Sequence, residues 1–150
     1  MSQIQDAIQM KGRLNIVLTD AFGAVKEQRE VDNLVVTVGK NYIASRMKDA
    51  TATAMSHMAV GTDSTAAAVG NTTLGAEIAS SRTALTSTTV TTNSVAYVCT
   101  FGTGVGTGAV VEAGIFNAAS AGTMLCRTVF SVINKGASDT LTITWTVTVN

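Results

Sequence analysis

From residue 140 to residue 149 the chain alternates without a break. Leu141, Ile143, Trp145, Val147 and Val149 fall on one side, and Thr140, Thr142, Thr144, Thr146 and Thr148 on the other. A period of two sustained over that length predicts a strand with one buried face. The opposite face is a row of β-branched threonines, which suits a pleated surface open to water or to a neighbouring chain. Such a strand needs partners in its own sheet and a second layer over its Trp145 face.

The rest of the chain supplies both. Residues 14–19 read as a strand, 20–23 as a turn and 25–31 as the returning strand. That second strand carries Lys26, Glu27, Arg29 and Glu30, too much charge for a central position, so it is expected at an edge. One helix is predicted near residues 37–48, capped by Thr37. Its Val38/Tyr42 and Ile43/Met47 pairs form an apolar side, and Arg46 and Lys48 close its last turn. It should pack across an end or face of the sheet. Residues 56–61 read as a short strand and 72–79 as a helical turn. Residues 84–92 and 94–101 read as a hairpin around Thr92-Asn-Ser94. Further strands follow at 110–116 and 124–130, with a last turn at 134–139. Strands separated by turn signals define an all-β, antiparallel, jelly-roll-like sandwich with one helix. Residues 1–12 are expected to form an N-terminal arm, with Ile4, Ala7 and Ile8 at helical spacing, ahead of a single domain over 13–150.

Charge changes this picture. Charged residues make up 13% of the 150-residue chain, against about 25% in a typical soluble domain. The formal net charge is zero, and 13 of the 20 charged side chains lie in residues 1–50. A sparsely charged, neutral surface is poorly protected from self-association, so much of it is expected to be covered by other subunits. No basic stripe exists to neutralise phosphates, which argues against nucleic acid. No apolar run approaches the ~20 residues that span a membrane, and residues 1–6 lack the features of a secretory signal. The expected place of synthesis is a cytoplasm, before assembly.

Candidate chemistry is thin. Gly104-Val-Gly-Thr-Gly-Ala109 matches a loose dinucleotide fingerprint, but a strand rather than a helix follows it, so it reads as a flexible inter-strand loop. His57 is the one histidine and belongs to a strand, with a packing or surface role. Cys99 and Cys126 fall in strands and behave as small buried hydrophobes; a disulfide between them is not indicated. No catalytic set, cofactor site or metal-ligand spacing emerges, and an enzyme is not expected. Glu112 stands alone in an otherwise uncharged stretch. It must be solvated or paired, with Arg127 or Arg82 as candidate partners; the pair proposed is Glu112 with Arg127, in a structural role.

Glu112-Ala-Gly-Ile-Phe-Asn-Ala118, Gly122-Thr-Met-Leu-Cys-Arg-Thr-Val-Phe130 and residues 134–145 together resemble small virion structural proteins of tailed bacteriophages. Met58-Ala-Val-Gly-Thr-Asp63 and Thr73-Leu-Gly-Ala-Glu77 fit the same pattern, so the resemblance spans roughly residues 55–149. The Glu-x-Gly-Ile-Phe-Asn segment is similar to one in phage tail-fibre and baseplate-associated β-domains. A chain this short, without a fibre repeat, resembles capsid decoration (cement) proteins. The resemblance implies a location in the virion, a partner in the major capsid protein and in further copies of this chain, and no catalytic residues. The alternative within the class is a tail, connector or baseplate component with other tail proteins as partners; a receptor- or glycan-binding module is a third reading. Candidate contact residues are Ile4 and Ile8 of the arm, Val25, Lys26 and Arg29 of the charged ribbon, and Gly104 and Gly106 of the glycine loop.

Overall fold

A computed structural model describes residues 6–48 and 52–150. The strands are β1 (Met10–Thr19), β2 (Val25–Asp32), β3 (Leu34–Val35), β4 (His57–Gly61), β5 (Thr83–Ala84), β6 (Ser87–Thr91), β7 (Ser94–Phe101), β8 (Gly108–Phe116), β9 (Met124–Lys135) and β10 (Thr140–Val149), and the helix is α1 (Thr37–Arg46). Two five-stranded sheets face each other, a front sheet ordered β2-β1-β10-β7-β6 and a back sheet ordered β3-β9-β8-β4-β5. Every pairing is antiparallel. β1 pairs with β10 and β3 with β9, so the two ends of the chain nest inside one another and give the sandwich its jelly-roll-like wrapping.

The alternating C-terminal segment is the centre of the front sheet. Leu141, Ile143, Trp145 and Val147 of β10 are buried, and they meet Leu14, Ile16 and Leu18 of β1 and Cys99 and Phe101 of β7 in one core. The back sheet contributes Val60, Val110, Ile115, Leu125 and Ile133 to the same core. Both cysteines are free and buried, and burial pushes the Cys99 thiol up to about 12.

The back sheet is covered on its other face as well. A second cluster of Val36, Ala59, Leu74, Phe116 and Met124, with Val38 packed against it, lies outside the sandwich. Its cover is α1 together with the long β4–β5 connection, residues 62–82. α1 approaches β9 through Gly39, where a Cβ would stand 2.2 Å from the Leu125 carbonyl oxygen. Only glycine permits that contact.

Several elements differ from the sequence expectation, each for a physical reason. β1 starts at Met10, because Met10 pairs with Val149; residues 10–12 therefore belong to the sheet, not to an arm. Thr37 is inside α1 and does not cap it. Val36 occupies the cap position with no side-chain cap bond, and the Thr37 amide donates instead to Val69 O at 2.8 Å. Met47 is exposed, so the Ile43/Met47 pair is not an apolar seam. Residues 72–79 form no helical turn, because the Gly75 and Ala76 amides are claimed by a side chain described below and the Ile78 amide bonds Val60 O of β4. The strand expected over 84–92 is split: Ala84 pairs with His57 in the back sheet, whereas Ser87–Thr91 pairs with β7 in the front sheet. β9 runs on to Lys135, so Asn134 and Lys135 lie in the strand and not in the turn. The charged β2 sits at an edge of the front sheet.

Candidate functional site

The strand register of β1 with β10 places Thr19 against Thr140 at one end of the sandwich and Met10 against Val149 at the other. Three connections meet at the Thr19 end, and a buried lysine joins two of them. Lys135 Nζ donates to Gly102 O and to Asp139 O, each at 2.8 Å. Asp139 Oδ2 accepts from the Gly136 amide at 2.7 Å and from Lys26 Nζ at 2.8 Å. The Gly104 amide donates to Ala137 O at 2.8 Å. The glycine loop is thus tied to the β9–β10 turn rather than free. Burial lowers the pKa of Lys135 from the ordinary lysine value, with the Asp139 charge opposing that shift. The hydrogen bond from Lys26 and the Gly136 amide hold Asp139 below the usual carboxylate value.

The β1–β2 turn beside this network is equally well held. Asp20 Oδ1 accepts from the Phe22 amide at 2.9 Å and from the Ala24 amide at 3.0 Å, and Gly23 takes φ +82°. This fixed turn holds Phe22 96% exposed, with Val25 exposed beside it. An aromatic ring presented by a rigid turn costs little entropy to immobilise against a partner. Phe22 escaped the sequence reading because an aromatic residue beside a strand reads as core. The available signal was its place inside Asp20-Ala-Phe-Gly23, outside the alternation.

The candidate contact residues separate on this framework. Val25, Lys26 and Gly104 come together at the Thr19 end. Gly106 belongs to the same loop but is buried; a Cβ there would stand 2.9 Å from Val60 Cγ2, so it is a packing position and not a contact. Arg29 lies along β2 and bonds Glu27 at 3.2 Å. Ile8 is 77% exposed at the opposite end, next to the Gln9 backbone pairing with Asn150. Ile4 lies outside the described residues.

The front sheet's outer face is half-buried along its central strand. Thr142, Thr144, Thr146 and Thr148 form its central row, flanked by Val17, Asn15, Arg13 and Lys11 of β1 and by Thr100, Val98, Ala96 and Ser94 of β7. The longer side chains of β1 and β2 rise above this row. Between them runs an open groove of about 400 Å³ lined by Arg13, Asn15, Glu30, Thr144, Thr146 and Thr148, among others. An Arg13–Glu30 ion pair crosses one wall.

Glu112 and Arg127 lie on the far side, under the β4–β5 connection, at 0% and 2% side-chain exposure. Arg127 Nε donates to Glu112 Oε2 at 2.9 Å, and Arg127 Nη2 stands 2.8 Å from the same oxygen as an ionic contact. Glu112 also accepts from the Gly75 amide at 3.0 Å and the Ala76 amide at 2.7 Å, with Asp63 N at 3.3 Å. One carboxylate therefore pairs with a guanidinium and pins three points of an irregular loop. Asn71 takes a further bond from Arg127 Nη1 at 3.1 Å. Gly61 makes room for this arrangement: a Cβ there would lie 2.3 Å from Glu112 Oε1. Arg82 is not the partner of Glu112. It forms a bidentate pair with Glu77 at 3.0 and 2.8 Å and lies over the Phe116 ring. The arrangement is a clamp that fixes the cover of the back sheet.

His57 Nδ1 lies 2.8 Å from the oxygen of its sequence neighbour Ser56. Among the described residues no group of three or more His, Cys, Asp or Glu side chains is placed to hold a metal ion, and no helix is long and apolar enough to cross a membrane. The chain matches no family model, no curated protein and no solved structure.

Proposed function

We propose that the protein is a structural component of a phage virion, and specifically a capsid decoration protein that attaches by one face and adds buried area across contacts between shell subunits. The observation that supports this reading is the asymmetry of the sandwich. A clamped loop and a helix cover much of the back sheet, whereas the outer face of the front sheet carries a half-buried, hydrogen-bonding threonine row along an open groove. A plate that adheres on one side needs that division. The exposed Phe22 at the rim of the same sheet supplies an aromatic anchor of the kind that dominates interface energies. A standard interface buries ~1,600 Å², and repetition over a shell multiplies a modest gain per copy.

The test is the copy number in purified particles, measured by quantitative mass spectrometry against the major capsid protein. A number that scales with the major capsid protein supports shell decoration. A few copies per particle would transfer the protein to the tail, connector or baseplate. Absence from particles would overturn the virion reading altogether. Within the reading, Thr146→Arg is expected to block attachment to shells while leaving the isolated protein folded.

A further inference from the structure

Three of the four sheet edges are blunted against pairing. β3 and β5 are two residues each, and β2 carries alternating charges beside a register shift at Leu18 and Thr19. Short length, edge charge and bulges are the usual devices that stop strand addition. β6, the fourth edge, has none of them. Its sequence is Ser87-Thr-Thr-Val-Thr91, all five residues are exposed, and no charged residue occurs between Arg82 and Glu112.

The backbone geometry shows what this edge offers. Thr91 pairs with Ser94 across the two-residue turn of Thr92 and Asn93, which makes them a hydrogen-bonded pair. Alternation then turns the N–H and C=O groups of Thr88 and Val90 away from β7. The side chains of these two residues share a face with Tyr97 and Val95, their cross-strand partners, which is the core side of the sheet. Val90 nevertheless stays 71% exposed, because the back sheet ends opposite this region in the two-residue β5. Polar backbone and an apolar side chain are left open at the same place.

We infer that β6 is a homodimerisation edge, pairing antiparallel with β6 of a second copy about a two-fold axis through Thr89. The strand is complementary to itself in this register. All five residues find partners, Thr88 faces Val90 of the copy, and the outward groups of both form about four main-chain hydrogen bonds. Neither partner has to bury a charge. The axis is normal to the sheet, so the two front sheets join into one continuous plate with both threonine faces on the same side. That is the arrangement two neighbouring copies need to lie on one surface. The inference deepens the proposed assembly role by naming how copies meet, but the pairing itself requires no other virion component.

Cysteine cross-linking of the full chain in solution tests it. The two Thr89 Cα atoms are expected ~4.5 Å apart across the axis, within disulfide reach, whereas the two Thr91 Cα atoms fall roughly 14 Å apart. Under mild oxidation Thr89→Cys should give a covalent dimer and Thr91→Cys should not; the native cysteines are buried. Sedimentation should show the Thr88→Lys, Val90→Lys double variant as a monomer, since it sets like charges opposite each other. Thr88→Glu with Val90→Lys should restore the dimer. Equal cross-linking at both positions, a dimer that survives the double-lysine variant, or a wild-type chain that stays monomeric at high concentration would each overturn the inference. Because no particle is present in these experiments, they can fail while the copy-number result stands, and the reverse.

Discussion

The two sheets of this sandwich solve opposite problems. The back sheet is buried on both faces over part of its length, with β4 closed from Met58 to Gly61 and β9 closed from Met124 to Thr128, while Ser131, Val132 and Asn134 further along β9 stay exposed. The front sheet is buried on one face only, and β10 alternates between buried and half-buried positions along most of its length. Covering the back sheet brought an ionised pair out of water. The pair is tolerable because loop amides fill the coordination of Glu112 that Arg127 leaves open, and a buried carboxylate that is both paired and hydrogen-bonded avoids most of the penalty of an isolated one; Arg127 Nη2 is held by ionic contact alone. The front sheet needs no such device, since its outer threonines keep water as a partner. Order is therefore concentrated on the sealed side and surface availability on the open side.

That contrast is easiest to break at the clamp. Glu112→Ala leaves the buried Arg127 guanidinium without its carboxylate and frees the Gly75 and Ala76 amides. It should cost ~3–5 kcal/mol, read as a lower midpoint in chemical denaturation, with early exposure of residues 62–82 in hydrogen exchange. A variant with wild-type stability would show that the clamp is not what holds the cover. Leu74→Ala comes next. Leu74 is buried in the cluster outside the back sheet, and its side chain occupies the space above Gly114, where a Cβ would lie 2.9 Å from Leu74 Cδ2. Removing it should cost about 2 to 3 kcal/mol without disturbing the front sheet.

The sequence made these two sides unequally legible. The front sheet was readable because one covered face imposes period two, and the run from Thr140 to Val149 shows it residue by residue. The back sheet carried its signal in a negative form. Residues 112–116 and 124–128 do not alternate, and unbroken burial of that kind belongs to strands covered on both faces. That the chain supplied a second cover could have been inferred from them. The cover itself could not. Residues 62–82 have no periodicity because they have no regular structure. Their order comes from contacts distant in sequence: amides bonded to Glu112, and glycines at 61 and 114 that let the loop approach. The Glu112–Arg127 pair was approachable for a simpler reason, since a lone carboxylate in an uncharged stretch has few partners to choose from. Phe22 was missed because hydrophobicity alone does not distinguish an anchor from a core residue.

The loop end of the sandwich gives an effect of intermediate size with a definite pH signature. The folded-state pKa of Asp139 lies below its unfolded value of about 3.8. Its contribution is therefore complete above that value and is lost as pH falls through the folded one. Asp139→Asn should lower stability at neutral pH and flatten the acid limb of the stability curve below about pH 4. A variant with an unchanged acid limb would remove the network from the account. The Lys26 ammonium is the first cause of the shift, so Lys26→Met should move the limb in the same direction.

The smallest effect on stability should come from the open face, and that smallness is what makes it informative. Thr144 and Thr146 lie in the middle of the front sheet with their side chains toward solvent, so replacing either by serine removes one methyl group and leaves the backbone ladder and the core intact. Surface changes of this kind stay within about 0.5 kcal/mol, and thermal unfolding should not separate Thr146→Ser from the wild type. If the face is a docking surface, attachment should respond where stability does not, because a lost methyl at the centre of a close-packed interface leaves a gap that water fills poorly. Weaker binding to shells at unchanged stability would sharpen the contrast between a sealed side that holds the fold and an open side that does the work. A change in unfolding as large as that from Leu74→Ala would erase it, since the front face would then be structural in the same sense as the back.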